Sequence, residues 1–329
     1  MKTKIVYCLV SDSNDYYYEQ LLISLHSLRK HNPRAEVEVV CDSDTYGSFT
    51  GNRRGIFDYD IRTNVVETPA EWGNWERSRY IKTNLRRLVK GDYLFVDTDT
   101  IVCSNIDFVD DIPHAVAAVK DSHLERPLPR YAQRRHDTEK WIWRNAKKAG
   151  VDVAGIYHYN SGVMYVKDTK AAYELYAKWA ENYSWLLARG AKVDQLALLL
   201  ANKSLNNVIE PLDPALNCQV CFKEGRERLA GAHIVHYFPR QGKNILSSPW
   251  ILDPIKESGR INISIQRIID DPGSFFAQES MIAWGDEVAL IRTPLMGAYR
   301  DGGKVCDCFI WLMGKYYHIK RHLRKVVKI

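Results

Sequence analysis

The chain has 329 residues, 46% of them hydrophobic and 26% charged, which suffices for one large α/β domain with appendages or for two domains. Its formal charge of +6 is confined to residues 304–329, which hold seven Lys/Arg and one acid, whereas the other 303 residues carry 39 basic and 39 acidic groups. The balance excludes a general nucleic-acid-binding surface in the body of the chain, and no apolar run is long enough to span a bilayer.

The cysteines and the first residues indicate the compartment. Seven cysteines are scattered along the chain in an odd number, which is typical of a reduced protein. The apolar run at 5–10 is too short for a signal peptide and ends in Ser11 and Asp12. We therefore expect a cytoplasmic protein.

The first sixty residues predict a β-loop-α-β unit. Residues 4–10 and 36–41 have the β-branched composition of strands, and leucines recur at helical spacing over about 17–31. Parallel sheets bind ligands at the carboxyl ends of their strands. The first loop lacks Gly-x-Gly-x-x-Gly, so a classical dinucleotide site is not expected. Its acidic and aromatic residues could hold a nucleobase, and the alternative is that Tyr16–Tyr18 pack at the start of the helix.

A second unit carries the strongest chemical signal. Residues 77–89 predict a basic amphipathic helix that brings Arg79 or Lys82 beside the end of the next strand, where either could bind phosphate. Residues 94–102 are apolar and β-branched and read as one buried strand with Asp97 and Asp99 inside it. Carboxylates two residues apart on a strand point the same way, and their repulsion favours a divalent cation between them. Mg²⁺ or Mn²⁺ suits such hard oxygens.

Two further Asp-x-Asp pairs are weaker candidates. Asp42 and Asp44 close the second strand, and Asp58 and Asp60 lie in a stretch rich in Gly, Arg and Asn. Both contexts are typical of turns.

The rest of the body adds polar residues at strand and helix boundaries. Residues 114–119 and 157–166 predict strands, and Asn160-Ser161-Gly162 inside the latter suggests close approach of a ligand or a bulge. The polar, aromatic segment 121–155 is interpreted as an insertion or lid. Asp194-Gln195 opens a predicted helix, where Asp194 either caps the helix or acts in a site. His236 lies in a strand at 232–238 and is either a core residue or a ligand.

The order of these segments resembles GT-A fold glycosyltransferases over roughly residues 4–250. It is most similar to glycosyltransferase family 8, the retaining galactosyl- and glucosyltransferases of the lipopolysaccharide and glycogenin type. The resemblance implies an α/β fold, with a Rossmann-like, mixed but mainly parallel central sheet flanked by helices. The segments on which the resemblance rests are the acidic, Tyr-containing first loop, the basic helix, Asp97-Thr98-Asp99, Asn160-Ser161-Gly162, Asp194-Gln195, and His236 with Gly242-Lys243 and Pro249-Trp250.

The resemblance also implies roles. Asp97, Asp99 and His236 would bind Mn²⁺ (or Mg²⁺), and Asp194 and Gln195 would act on the donor sugar. The chain departs from the family at Lys82, which replaces an Arg and loses its bidentate fork, and in the stretched segment between Lys243 and Pro249. The residues implied to contact the UDP-sugar are Asp12, Tyr16, Tyr17, Lys82, Thr98, Asn160, Ser161 and Lys243.

These considerations divide the chain into a catalytic domain at 1–250, a small accessory or acceptor region at 251–303, and a basic tail at 304–329. Aromatic residues alternate with cations in the tail, so residues 308–327 predict an amphipathic helix on an anionic membrane surface. The alternative is a solvated C-terminal helix or a disordered tail. The expected activity is transfer of a hexose from UDP-galactose or UDP-glucose, with retention, to a glycan or glycolipid such as lipopolysaccharide. It would take place at the inner face of a membrane, with the protein bound peripherally.

Two other functions fit parts of the pattern. A phosphatase of the haloacid dehalogenase type would use Asp97 as its nucleophile, although that motif normally lies near the N-terminus. A non-catalytic module would bind the sugar nucleotide without turning it over.

Overall fold

The computed structural model describes residues 1–129, 137–221, 223–226, 228–238, 246, 248–273, 307–308 and 310–316. The chain divides into two compact units, Met1–Gly273 and Ser274–Ile329. The described residues of the second unit are helical at 307–308 and 310–316. Among the described residues, no helix is both long enough and apolar enough to cross a membrane.

The first unit alternates strands and helices along most of its length. Its strands are β1 (Lys4–Leu9), β2 (Val37–Asp42), β3 (Arg62–Val66), β4 (Tyr93–Val96), β5 (Thr100–Val102), β6 (Val116–Lys120), β7 (Tyr159–Val166), β8 (Ile209–Pro211), β9 (Cys218–Gln219) and β10 (Ile234–His236). Its α-helices are α1 (Tyr17–His31), α2 (Ser43–Gly47), α3 (Asn74–Leu88), α4 (Asp137–Ala149), α5 (Lys170–Ala188), α6 (Asp194–Ser204), α7 (Lys223–Arg226), α8 (Pro249–Ser258) and α9 (Ile263–Asp270).

Seven strands form the main sheet in the order β3-β2-β1-β4-β7-β6-β8. Neighbours are parallel except at β7, which runs antiparallel to β4 and to β6. A second sheet has the order β5-β10-β9. The predicted α/β class, with a mixed but mainly parallel central sheet flanked by helices, is confirmed.

Helices cover both faces of the main sheet. Alternate residues of β1 point to opposite faces: Val6 packs in the core with α3, α5 and α6, whereas the Tyr7 hydroxyl lies 2.9 Å from Ser24 of α1. The buried leucines of α1 recur at the spacing that predicted this helix, and its bounds agree with the prediction. Central strand β4 is therefore shielded on both sides, and it ends at Val96, directly before Asp97.

The sequence prediction of one strand over 94–102 is wrong. β4 ends at Val96 in the main sheet, and β5 begins at Thr100 in the small sheet. Asp97 and Asp99 lie on the connection between them. The Thr100 hydroxyl donates to the Asp97 carbonyl oxygen at 2.9 Å, which turns the chain and separates the two strands.

Two regions lie near the predicted domain boundaries. Within the segment 121–155, α4 contributes Ile142 and Ala146 to the main core. The boundary predicted between 250 and 251 falls within α8, and α8 and α9 both lie in the unit Met1–Gly273. The division of the chain at 1–250, 251–303 and 304–329 stays a prediction.

Candidate active site

A cavity of about 620 Å³ opens at the carboxyl ends of β1 and β4. This is the edge where parallel α/β sheets bind ligands. Three candidate metal ligands, Asp97, Asp99 and His236, line it together with polar residues of β7, α3 and α6. The other predicted site residues in the lining are Tyr17, Lys82, Thr98, Asn160, Ser161, Asp194 and Gln195.

Backbone hydrogen bonds from both sheets fix the Asp97–Asp99 connection. The Asp97 N–H donates to the Gly162 carbonyl on β7 at 2.7 Å, and the Tyr237 N–H donates to the Asp99 carbonyl at 2.8 Å. Antiparallel pairing of β5 with β10 places His236 opposite Thr100. A histidine that is 137 positions after Asp99 in sequence therefore lies beside it in space.

The three side chains form a compact group of ligand atoms. His236 Nε2 lies 3.2 Å from Asp99 Oδ1 and 3.9 Å from Asp97 Oδ2. One ligand atom from each residue lies within 4.8 Å of the others. Burial and the neighbouring Asp99 charge raise the pKa of Asp97, and the Lys82 ammonium opposes this shift.

The position of the His236 ring makes these residues suitable ligands for a divalent cation. Its Nδ1 lies 2.9 Å from Asn217 Oδ1, so Nδ1 carries a proton. Nε2 is buried and has no hydrogen-bond partner among the described residues. Because Nε2 faces two carboxylates, either a proton or a metal cation between these atoms would relieve the repulsion. Two carboxylates and one imidazole are suitable ligands for Mn²⁺ or Mg²⁺.

Gly162 packs against the His236 ring, and a side chain at this position would collide with the ring. A Cβ atom added there would lie 2.1 Å from Cε1 and 2.8 Å from Nδ1 of the imidazole. Gly162→Ala is therefore expected to displace the ring, lower Mn²⁺ affinity at least about tenfold and cost about 1–3 kcal/mol of stability. Calorimetric Mn²⁺ titration and thermal unfolding measure the two effects.

Gly47→Ala is the matched control, since a Cβ at Gly47 meets nothing within 4 Å. Equal Mn²⁺ affinity of Gly162→Ala and Gly47→Ala would contradict the packing that we describe.

Two cations on one face of α3 hold the acidic side chains of the cavity. Lys82 Nζ lies 3.0 Å from Asp97 Oδ1 and 3.1 Å from Oδ2. One turn earlier, Arg79 Nε lies 3.2 Å from Asp194 Oδ1. Burial raises the pKa of Asp194, but Arg79 and Lys82 outweigh burial and the net shift is downward. Asp194 is therefore held as a carboxylate at the start of α6.

Asp121 is a buried site residue that the sequence reasoning missed. Gln195 Nε2 donates to its Oδ2 at 2.9 Å, and Asn160 Nδ2 donates to the same oxygen at 3.0 Å. The carboxylate thus orients two amide side chains of the cavity. The one signal for it is its position directly after β6, at the carboxyl end of a strand.

Two of the residues predicted to contact the donor sugar nucleotide, Asp12 and Tyr16, lie apart from this group. Asp12 lies outside the cavity lining, and Asn14 and Asn74 donate to its carboxylate. Tyr16 also lies outside it, because its hydroxyl donates to Asp253 of α8 at 2.7 Å. Of the two tyrosines proposed for the nucleobase, Tyr17 lines the cavity. Lys243 lies outside the described residues.

The other two Asp-x-Asp pairs have structural roles. Asp42 caps α2 by accepting from Thr45 N at 3.1 Å, and Arg77 bridges Asp42 and Asp44. Asp60 ends a 3₁₀ turn with a left-handed φ of 46°.

No family model and no curated protein matches this chain. Solved structures with a similar arrangement include three glycosyltransferases. The apo form of mouse xyloside xylosyltransferase 1 is 12% identical and covers 71% of this chain and 97% of its own, with a TM-score of 0.47. The galactosyltransferase LgtC, in complex with donor and acceptor sugar analogues, is 16% identical and covers 80% and 99%, with a TM-score of 0.49. The apo form of the glycosyltransferase GlyE in Streptococcus pneumoniae TIGR4 is 14% identical and covers 85% and 64%, with a TM-score of 0.47.

Because these similarities are remote, the substrates of those proteins are not assigned to this chain. The activity proposed for this chain depends on the geometry of its own residues.

Proposed function

We propose that this chain is a metal-dependent GT-A fold glycosyltransferase that moves a hexose from a UDP-sugar, with retention, to a glycan or glycolipid acceptor. The observation that carries the proposal is the convergence of Asp97, Asp99 and Nε2 of His236 in one cavity of about 620 Å³. Such a group suits a divalent cation that binds a diphosphate. The nucleotide sugar and the family assignment come from the sequence resemblance.

The ligands and the neighbouring cations would serve the leaving group. Mn²⁺ or Mg²⁺ bound by Asp97, Asp99 and His236 would supply Lewis-acid charge for a departing nucleoside diphosphate. Lys82 lies beside Asp97 and adds positive charge on the same side of the cavity. Lys243, which the sequence resemblance implies, would also contact the diphosphate.

Gln195 and Asp194 would act on the sugar. Because Gln195 Nε2 donates to Asp121, carbonyl Oε1 is the atom that Gln195 can offer to the cavity. A carbonyl oxygen stabilises the positive charge that develops at the anomeric carbon as the glycosidic bond breaks. Asp194, held ionised by Arg79, adds negative charge on the same helix end.

Hydrolysis of UDP-sugars tests this proposal against its alternatives. We expect UDP release from UDP-galactose or UDP-glucose in Mn²⁺, loss of that release in EDTA, and recovery when Mn²⁺ is restored. Phosphate release from p-nitrophenyl phosphate without UDP-sugar hydrolysis would instead identify a phosphatase with Asp97 as nucleophile. Binding of UDP-sugars without turnover to any offered glycan acceptor would identify a binding module.

In the same proposal the tail docks the enzyme on an anionic membrane surface, where a glycolipid acceptor resides. The helix at 310–316 exposes Trp311 and Leu312, which are 58% and 52% accessible, and Tyr316. Most cations of the tail lie beyond it, at 320–328. Aromatic and basic residues together favour binding at a lipid interface.

Deletion of 304–329 is therefore expected to abolish co-sedimentation with phosphatidylserine vesicles and to preserve UDP-sugar hydrolysis. Vesicles of neutral lipid are the control for charge. Undiminished binding of the truncated protein to the anionic vesicles would refute this role of the tail.

A further inference from the structure

A row of buried hydrogen bonds connects the candidate metal site to the carboxylate of Asp121. His236 Nδ1 lies 2.9 Å from Asn217 Oδ1, and Asn217 Nδ2 donates to Asn160 Oδ1 at 2.9 Å. Asn160 Nδ2 in turn donates to Asp121 Oδ2 at 3.0 Å. All four residues are buried, and Asn217 is completely inaccessible. Buried amides in a continuous row hold one another in fixed orientations.

The direction of each hydrogen bond follows from two groups, one of which can only accept and the other only donate. A carboxylate only accepts, so the amide nitrogen of Asn160 must face Asp121. A backbone N–H only donates, and that of Gly162 lies 2.9 Å from Asn160 Oδ1. Asn160 therefore has one orientation, with its oxygen toward Asn217. The group of Asn217 that meets this oxygen must be its amide nitrogen, which leaves Asn217 Oδ1 facing His236.

The row thereby selects the tautomer of His236. Since Asn217 Oδ1 only accepts, Nδ1 of the imidazole must donate. The neutral ring then has its lone pair on Nε2, the atom that lies 3.2 Å from Asp99 Oδ1. We propose that Asn217 is a positioning residue that holds His236 in the Nδ1–H tautomer and so prepares Nε2 to bind the divalent cation. The inference rests on the metal site of the proposed function.

Asp121 gives this arrangement a second consequence. It also accepts from Gln195 at 2.9 Å and from the Ser122 hydroxyl at 2.8 Å. One buried carboxylate therefore sets both the tautomer of the third metal ligand and the orientation of Gln195. A change at Asn217 removes the hydrogen bond to His236, whereas the hydrogen bond from Gln195 to Asp121 stays intact.

The substitution Asn217→Leu tests the proposal, because leucine is similar in size and cannot accept from Nδ1. We expect Mn²⁺ affinity, measured by calorimetry, to fall about 10- to 100-fold. Asn217→Asp keeps an acceptor for Nδ1 and is expected to recover much of that affinity. Asn202→Leu is the matched control, since Asn202 is equally buried but accepts from Ile209 N in another part of the core.

Ring ¹⁵N chemical shifts of histidine-labelled, metal-free protein report the tautomer directly. The wild type is expected to show His236 as Nδ1–H, and Asn217→Leu is expected to shift it toward Nε2–H. His236→Gln identifies the signal among the ten histidines. The wild-type spectrum and Asn217→Asp keep the proposal testable even if Asn217→Leu does not fold.

Two results would overturn the proposal without touching the proposed function. One is a wild-type His236 with no proton on Nδ1, and the other is an Asn217→Leu protein with unchanged Mn²⁺ affinity. Wild-type protein that binds no Mn²⁺ would overturn the metal site itself, and with it this inference.

Discussion

Asp99→Asn is expected to lower UDP-sugar hydrolysis about 1,000-fold and to reduce Mn²⁺ binding to the detection limit of calorimetry. Asp99 supplies the carboxylate oxygen nearest to His236 Nε2, and the amide of asparagine has the same shape without the charge. A metal site that loses one of two carboxylates loses much of its attraction for a divalent cation.

The metal-free protein gives the control for folding. Asp97 and Asp99 repel each other when no cation is present, so Asp99→Asn is expected to unfold at the wild-type temperature or above it. Asp58→Asn changes an exposed residue of another Asp-x-Asp pair and should alter none of these properties. Mn²⁺-dependent turnover by Asp99→Asn at the wild-type rate would refute the role of this carboxylate.

Arg79→Met is expected to destabilise the protein by about 3–5 kcal/mol at neutral pH, because it leaves Asp194 buried without its partner. Arg79 Nε lies 3.2 Å from Asp194 Oδ1, and 8% of the Asp194 side chain is accessible. The guanidinium also lies 4.2 Å from the Trp75 ring, so methionine retains part of the packing. Urea unfolding measures the loss, with Arg87→Met on the exposed side of α3 as control.

The stability lost in Arg79→Met should become smaller as pH falls. The pKa of Asp194 in the folded wild type is lowered, so its stabilisation is present above the unfolded pKa and is lost as pH falls. In Arg79→Met burial acts without that opposing charge, the folded pKa rises, and protonation relieves the penalty. The stability difference between wild type and variant should therefore shrink as pH falls toward about 4.

The double variant Arg79→Met/Asp194→Asn separates the ion pair from general packing. Removing both charges should recover much of the lost stability, whereas hydrolysis should stay low because Asp194 lines the cavity. A double variant as unstable as the sum of the single variants would contradict an interaction between these side chains.

Elements with strong local patterns could be predicted from the sequence. The leucine spacing gives α1 with its bounds, and the apolar residues before Asp97 place the first candidate ligand at the end of a buried strand. Local patterns could not show that the run 94–102 divides between two sheets. That division depends on pairing of β5 with β10, whose residues come more than 130 positions later.

The site residues that could not be predicted act through hydrogen bonds to side chains that are distant in sequence, and no local pattern marks them. Asn217 precedes a two-residue strand and has no periodicity to mark it, yet it joins His236 to Asn160. Asp121 is similar, since its importance lies in the donors that converge on it. Tyr16 shows the reverse case, because a tyrosine at the start of a helix points either to the loop or to a neighbouring helix, and here it contacts α8.

Anomalous scattering from crystals grown with MnCl₂ and UDP tests the central claim most directly. We predict a manganese peak in contact with carboxylate oxygens of Asp97 and Asp99 and with Nε2 of His236, with the diphosphate of UDP bound to the same ion. A manganese ion bound elsewhere, or UDP bound in the cavity without a metal at these three residues, would contradict the account.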